Sequence, residues 1–380
     1  MYKRYLNLKE LLKHKSLFLL GPRLTGKSTL LKTTFPEAKY IDLLEANTYR
    51  DLSSRPELLR QRLLENERLI IIDEIQKLPE LLDEVQLLID RNKDLRFVLT
   101  GSSARKLRRG NANLLAGRAW NCNLFPLVSP EIPKKSLKER VNKGGLPSVL
   151  DSDYFEEELS AYVGTYLQEE IRAEGLVRSI GNFSRFLEVV AFNNASQLNF
   201  SKIASDTGIP ARTIREHYQI LEDTLLGFQV PCFRKTVKRK PVAKSKFYFF
   251  DIGITNTLMR RRSIELGSNE FGNTLEHLIL LELKAFLEYK RIRKPLSYWR
   301  STGQNEVDFL IDDEVAIEVK SKSRIANSHL KGLLALKEEI TLKKSIVVCF
   351  ESDYRKIDNG IEIMPIKFFL DKLWKGEIVN

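Results

Sequence analysis

From its start to about residue 130 the chain alternates short apolar runs with longer stretches whose apolar positions fall three and four apart. Leu17–Leu20, Leu69–Glu74 and Arg96–Ala104 are too short for helices, and the first two carry no polar alternation, as strands covered on both faces should read. AKYIDL, Ala38–Leu43, predicts a further strand ending at Asp42, and NANLLAGRAWNCNLFPL leads into a fifth after Arg118. Helices are expected directly after the first run, at Pro56–Asn66 and at Leu81–Arg91. Strands alternating with helices predict a parallel α/β sheet with its ligand at the strands' carboxyl ends.

The pattern changes after Pro130–Lys135, a proline- and lysine-rich boundary. Helical periodicity runs from Phe155 to Ile171, and Asn199–Glu222 reads as two helices around a glycine turn. Ser201 suits the N-cap of the first, Gly208 makes the turn, and Ile214, Tyr218 and Leu221 form the buried stripe of the second. FRKTVKRKPVAKSKFYFF follows where the wing of a winged helix would lie. On such a module Arg212, Thr213 and Arg215 would face a DNA groove or backbone, and Lys235, Lys238, Arg239 and Lys240 would contact phosphates. The same fold also serves as a protein–protein module, and both readings stay open here.

The last third opens on a long helix, Phe271–Lys290, with the acid Glu276 near its start. Two strands then read with period two. Val307, Phe309 and Ile311 share one face with Asp308 and Leu310 on the other; Val315, Ile317 and Val319 oppose Ala316, Glu318 and Lys320. Matching apolar faces pairs residue 308 with 318 and 310 with 316, which requires an odd-length loop over Asp312–Glu314 or a bulge. In that register Asp308 and Glu318 converge with Lys320 beside them. Two carboxylates, a further acid from Glu276 and the Val319 carbonyl would suit Mg²⁺ at a phosphodiester, with Lys320 neutralising the charge that develops. A plain surface hairpin would show the same alternation.

Composition narrows the classes. The chain has 380 residues, 43% of them hydrophobic and 29% charged, which suits a folded protein of two or three domains. A net charge of +12 makes a polyanionic partner plausible without naming it. Three scattered cysteines and four histidines, with no CxxC spacing, speak against a zinc site or disulfide framework and for the cytoplasm. No apolar run approaches the roughly 20 residues of a membrane span, so no membrane partner is expected.

The sharpest chemistry lies after the first strand. GPRLTGKST fits G-x-x-x-x-G-K-[ST] at Gly21, Gly26, Lys27 and Ser28, with Thr29 next along the helix. The glycines let successive N–H groups converge on phosphate oxygens in front of a helix N-terminus; Lys27 would charge-pair the β- and γ-phosphates, and Ser28 would complete a Mg²⁺ shell. LIIIDE supplies the second half: Asp73 for the metal and Glu74 for the attacking water. Thr100 or Ser102, off the next strand's end, is the candidate polar sensor of the γ-phosphate. Arg118 is a candidate for stabilising transition-state charge, or else a surface or interface arginine.

These motifs carry two resemblances. The D-x₉-E-x-K arrangement after an acidic helix resembles the PD-(D/E)XK nuclease superfamily. The order of GPRLTGKST, LIIIDEIQKLP, LTGSSARKL, LAGR, GGLP, FFDIGI, FGNTLEHLILLEL and EVDFLI resembles a group of prokaryotic ATPases that join an AAA-like domain to a C-terminal domain of unknown function with a restriction-endonuclease-like fold. The resemblance spans nearly the whole chain and implies an ATP site at Gly26, Lys27, Ser28, Asp73 and Glu74, and a nuclease-like site at Glu276, Asp308, Glu318 and Lys320. His277 departs from it, standing where an amide is expected after the helix acid. No second sensor arginine or AAA lid is evident, so a hexameric-ring mechanism is not implied.

The expected architecture is therefore an AAA-like P-loop domain over 1–130, a helical and winged-helix region over 131–255, and a nuclease-like α/β domain over 256–380. The expected function is that of a cytoplasmic Mg²⁺-dependent ATPase acting on DNA, whose last domain is a candidate for metal-dependent cleavage. The alternative is an ATP-switched DNA- or protein-binding regulator whose last domain is non-catalytic. A homo-oligomer or a protein partner is compatible with either.

Overall fold

The computed structural model describes residues 2–103, 115–166, 179–234, 244–261 and 263–379. The basic segment Arg105–Arg109 and the wing lysines and arginine at Lys235, Lys238, Arg239 and Lys240 lie outside them. The chain forms two compact units, Met1–Leu127 with Ile220–Leu226, and Val128–Gln219 with Gly227–Asn380.

In the first unit, β1 (Ser16–Leu20), β2 (Lys39–Asp42), β3 (Leu69–Asp73), β4 (Arg96–Gly101) and β5 (Ala119–Asn123) form a five-stranded sheet in the order β2-β3-β4-β1-β5. Every pairing in it is parallel. Phe18, Leu20, Ile70, Ile72, Phe97 and Leu99 pack into one cluster with Leu81, Leu82, Val85 and Ile89 of the helix Leu81–Arg91. Their alternates Leu17, Leu19, Ile71 and Val98 are equally buried, which is why β1 and β3 read as unbroken apolar runs. One expected helix divides differently. Instead of Pro56–Asn66 the chain forms Ala46–Ser54 and the single turn Leu58–Gln61. The ring of Pro56 disfavours helical backbone at the preceding residue, and Arg55 sits at φ −144°, ψ 79°.

The second unit holds two sheets. The smaller contains β6 (Ser196–Gln197), β7 (Gly227–Val230) and β8 (Lys246–Phe249) in the order β6-β8-β7, with both pairings antiparallel. A helix Ile180–Phe192 precedes β6, and the pair Phe200–Thr207 and Ala211–Asp223 separates β6 from β7. Gly208, at φ +69°, makes the turn between that pair. The N-cap is Asn199 rather than Ser201: the chain turns helical one residue after Asn199, whose side chain accepts from the Lys202 N–H at 3.3 Å. Of the helix expected over Phe155–Ile171, Phe155–Ala161 is α-helical and Tyr162–Tyr166 widens into a π turn; the remainder lies outside the described residues.

The larger sheet runs β13-β14-β12-β11-β10-β9, with β9 (Leu296–Arg300), β10 (Glu306–Ile311), β11 (Val315–Val319), β12 (Lys344–Cys349), β13 (Arg355–Lys356) and β14 (Glu362–Pro365). The β10–β11 hairpin pairs Phe309 with Ile317, Leu310 with Ala316 and Ile311 with Val315, the register that the apolar faces require. Its three-residue loop starts at Asp312 with φ +55°. Leu333 and Leu336 of the helix Lys331–Glu339 pack on Val307, Leu310 and Ala316. The long helix Asn269–Tyr289 lies against β11.

His277 on that helix is buried, with Nε2 2.6 Å from the Phe249 carbonyl oxygen and Nδ1 3.3 Å from Asn194 Nδ2. One neutral tautomer satisfies both contacts, donating from Nε2 and accepting at Nδ1, so the imidazole offers one donor and one acceptor as an amide would. Burial pulls its pKa down to about 4, partly offset by the bond to Phe249. The unfolded chain therefore takes up this proton first as pH falls from about 6.5 toward 4, and the fold loses up to roughly 3 kcal/mol over that window. Urea unfolding checks this: the stability gap between wild type and His277→Gln narrows between pH 7 and 4.5. A gap independent of pH would contradict it.

Candidate functional sites

The loop after β1 is held by contacts that leave little conformational choice. A Cβ on Gly21 would lie 2.6 Å from the Leu124 carbonyl oxygen, so only glycine fits there. Gly26 has φ +90° and Leu24 φ +61°, left-handed values that curl the loop back over itself. Thr25 Oγ1 closes the curl by donating to the Pro22 carbonyl at 2.8 Å. Lys27 begins the helix Lys27–Thr34 and is buried, its Nζ 2.7 Å from the Gly21 oxygen and 3.1 Å from the Pro22 oxygen. Its ammonium is thereby aimed along the inside of the loop. Thr29 follows on the exposed side of the same helix.

Sheet order brings the other half to this loop, because β4 lies between β1 and β3. Ser28 Oγ donates to Asp73 Oδ2 at 2.7 Å. Tyr40 donates to the same carboxylate oxygen, and the Thr100 hydroxyl donates to Oδ1. Burial, then the bond to Asp73, drives the Tyr40 phenol upward, so it stays a donor. Thr100 also accepts the Glu74 N–H at 3.0 Å, which pins Glu74 in a left-handed conformation at φ +60°. Gln76 Nε2 donates to Glu74 Oε2 and lies 3.1 Å from Ser102 Oγ. Asp73 and Ser28 thus present hard oxygens at one point, a donor set that fits Mg²⁺ with a nucleotide phosphate.

Arg118 is not part of this constellation. It precedes Ala119, which pairs with Ser16 at the start of β1, so the five-residue strand, roughly 15 Å, separates it from the loop. It forms a bidentate pair with Asp90, Nε to Oδ1 at 2.8 Å and Nη2 to Oδ2 at 2.9 Å. Tyr40 and Gln76 are the residues that sequence reasoning missed. The only signal was the place of Gln76 two residues after Glu74.

In the second unit the structure brings Glu276, Asp308, Glu318 and Lys320 into one cluster, with Asp308 and Glu318 buried and the other two half-buried, and adds members that the hairpin alone did not reveal. The Val319 N–H donates to Asp308 Oδ2 at 2.8 Å, the Asp308 N–H approaches Glu318 Oε2 at 3.4 Å, and Lys320 pairs with Glu318. From β8, Lys246 reaches Glu276 Oε1 at 2.9 Å, Glu306 Oε1 at 2.6 Å and Asp308 Oδ1 at 3.7 Å, with 4% of its side chain exposed. Tyr248, also on β8, donates to Glu276 Oε1 at 2.5 Å. Burial raises the pKa of both Glu276 and Glu318, and the Asp308 carboxylate adds to the shift. Burial alone would lower that of Lys246, but Glu276, Asp308 and Glu306 more than reverse it.

The acids expected to hold a metal meet cations of the chain here. Among the described residues no group of three or more His, Cys, Asp or Glu side chains is arranged to hold a metal ion. Glu276 and Asp308 converge on the ammonium of Lys246, and Glu318 is taken by Lys320. The sequence hid this because Lys246 lies 30 residues before Glu276, on a strand of the other sheet.

Comparison with known proteins finds three family models along the chain. Residues 13–132 match the family model of an AAA domain, residues 134–265 a domain of unknown function (DUF8612), and residues 271–369 another domain of unknown function (DUF4143). The first match supports a P-loop ATPase of AAA type. Uncharacterized proteins of Mycobacterium tuberculosis and Mycobacterium bovis are each 24% identical over 301 residues, covering 77% of this chain and 67% of theirs. An uncharacterized protein of Haemophilus influenzae is 24% identical over 345 residues, 83% of this chain and 81% of its own. Among solved structures, domain III of the Thermotoga maritima replication initiation protein DnaA aligns at 17% identity with TM-score 0.26, over 43% of this chain and 82% of that one. The Pif1 helicase of Candida albicans aligns at 17% identity with TM-score 0.22, over 41% and 46%. Likeness at that level carries no argument. No helix among the described residues is long and apolar enough to cross a membrane.

Proposed function

We propose that the protein binds Mg²⁺·ATP at the loop Gly21–Ser28, hydrolyses it, and couples turnover to DNA held by the helix pair of the second unit. The observation that carries the first part is the Ser28–Asp73 hydrogen bond beside an inward-aimed Lys27. Lys27 would exchange its two loop carbonyls for phosphate oxygens, while loop N–H groups and the helix start bind the same anion. Bound Mg²⁺ would neutralise phosphate charge, with Ser28 and Asp73 as its protein partners. Thr29 would border the nucleotide.

Glu74 would hold and deprotonate the attacking water. Thr100 supports this by fixing Asp73 and the Glu74 backbone, and Ser102 does so through Gln76, so both act on the acids rather than on the γ-phosphate. Arg118 has no role within the same copy in this reading; its remaining place is on another copy's nucleotide or in the ion pair with Asp90.

The case for DNA rests on the net charge of +12 and on the order helix, β6, helix, helix, β7, β8, which supports a winged helix. On its second helix Arg212 is exposed and paired only loosely with Glu216 at 3.4 Å, and Arg215 lies over the Phe200 ring at 5.3 Å. A second reading concerns the last domain. Its nuclease-like motif serves binding rather than cleavage, a view favoured by the lysine-filled carboxylate cluster.

Two measurements test the proposal. In steady-state phosphate release, Glu74→Gln lowers kcat by about 10²–10⁴-fold and leaves Mg²⁺·ATP affinity nearly unchanged. An unaltered rate would remove Glu74 from the chemistry. Affinity for duplex DNA falls at least about tenfold between 50 and 200 mM salt, and more weakly for the Arg212→Ala/Arg215→Ala variant. A flat response would remove nucleic acid from the account.

A further inference from the structure

We infer that Lys246 is the resident cation of the C-terminal carboxylate cluster, filling the position a divalent metal would need, so that this domain holds no metal of its own. The inference deepens the non-catalytic reading of the last domain and is independent of the nucleotide site.

Lys246 Nζ lies within hydrogen-bonding distance of Glu276 and Glu306, and 3.7 Å from Asp308. These residues come from three separate elements, the long helix for Glu276, β10 for Glu306 and Asp308, and β8 for the lysine itself. A magnesium ion needs oxygens at about 2.0–2.1 Å in near-octahedral array. It could not share that point with an ammonium already bonded to Glu276 and Glu306.

Charge agrees with geometry. Each acid has a partner supplied by the chain. Arg300 Nη1 takes the second oxygen of Glu306 at 2.9 Å, Tyr248 donates to Glu276, a backbone N–H donates to Asp308, and Lys320 pairs with Glu318. The lysine is nearly inaccessible, at 4% exposure, and its stem is fixed on β8 between β6 and β7. Such a cation is a permanent part of the fold, whereas a metal would exchange with solvent. Taking Lys246 away leaves the carboxylates of Glu276, Glu306 and Asp308 facing a common space, and that is a vacancy of divalent character.

The test uses Mn²⁺ as probe on the full chain, stripped with chelator and free of nucleotide, with free Mn²⁺ read by electron paramagnetic resonance. Wild type and Asp308→Asn are expected to give the same titration. Lys246→Met is expected to bind one additional Mn²⁺ per chain, and adding Glu276→Gln to it abolishes that site. Mn²⁺ binding by wild type that Asp308→Asn removes would overturn the inference, as would a folded Lys246→Met that gains no site. Circular dichroism reports whether Lys246→Met folds, and wild type against Asp308→Asn decides the matter even if it does not.

Discussion

The Ser28–Asp73 hydrogen bond is the contact on which the chemistry proposed for the first unit rests. It joins a helix start to a strand end that lie 45 residues apart, and it exists only because β4 is inserted between β1 and β3. Parallel strands put all three carboxyl ends on one edge, where loops are free to carry polar groups that the apolar strands cannot. Around this bond Tyr40 and Thr100 also donate to the Asp73 carboxylate, so its orientation is fixed before any ligand arrives. Preorganisation of this kind spares the cost of turning a charged group at the moment of reaction.

The second unit solves a different problem. Burying carboxylates costs several kcal/mol each unless charge and hydrogen bonds are returned to them. Here the return comes from the chain, through Lys246, Lys320 and Arg300, and the acids that resemble a cleavage motif act as the counter-charge of a packed interface between β8 and the sheet holding β10.

How much of this was legible in the sequence varies by the range of the interaction. The P-loop and the acidic strand end were readable because each is a local pattern whose backbone geometry follows from its own residues. The β10–β11 register was readable for the same reason: alternation and loop parity are neighbours' properties. The helix over Pro56–Asn66 failed on one residue, since Pro56 divides two helices rather than heading one. The N-cap failed because Asn199 and Ser201 both suit a cap, and only the entry of the chain selects between them. Tyr40, Lys246, Tyr248 and Glu306 were not legible, because each acts on residues far along the chain, and a lysine inside KFYFF looks like any strand edge until its partners are known. That Arg118 lies at the far end of β5 from the loop was not legible, because strand direction, not sequence distance, decides which edge of the sheet a residue occupies.

The central claim is that the inward-aimed ammonium of Lys27 exists to hold a triphosphate. Calorimetric titration of the nucleotide-free protein with Mg²⁺·ATP, for wild type and Lys27→Ala, addresses it most directly. The account predicts one site per chain in wild type and a loss of at least about tenfold in affinity on substitution, with the far-ultraviolet circular dichroism unchanged. Equal affinity in the two proteins, or no binding in wild type, would contradict it.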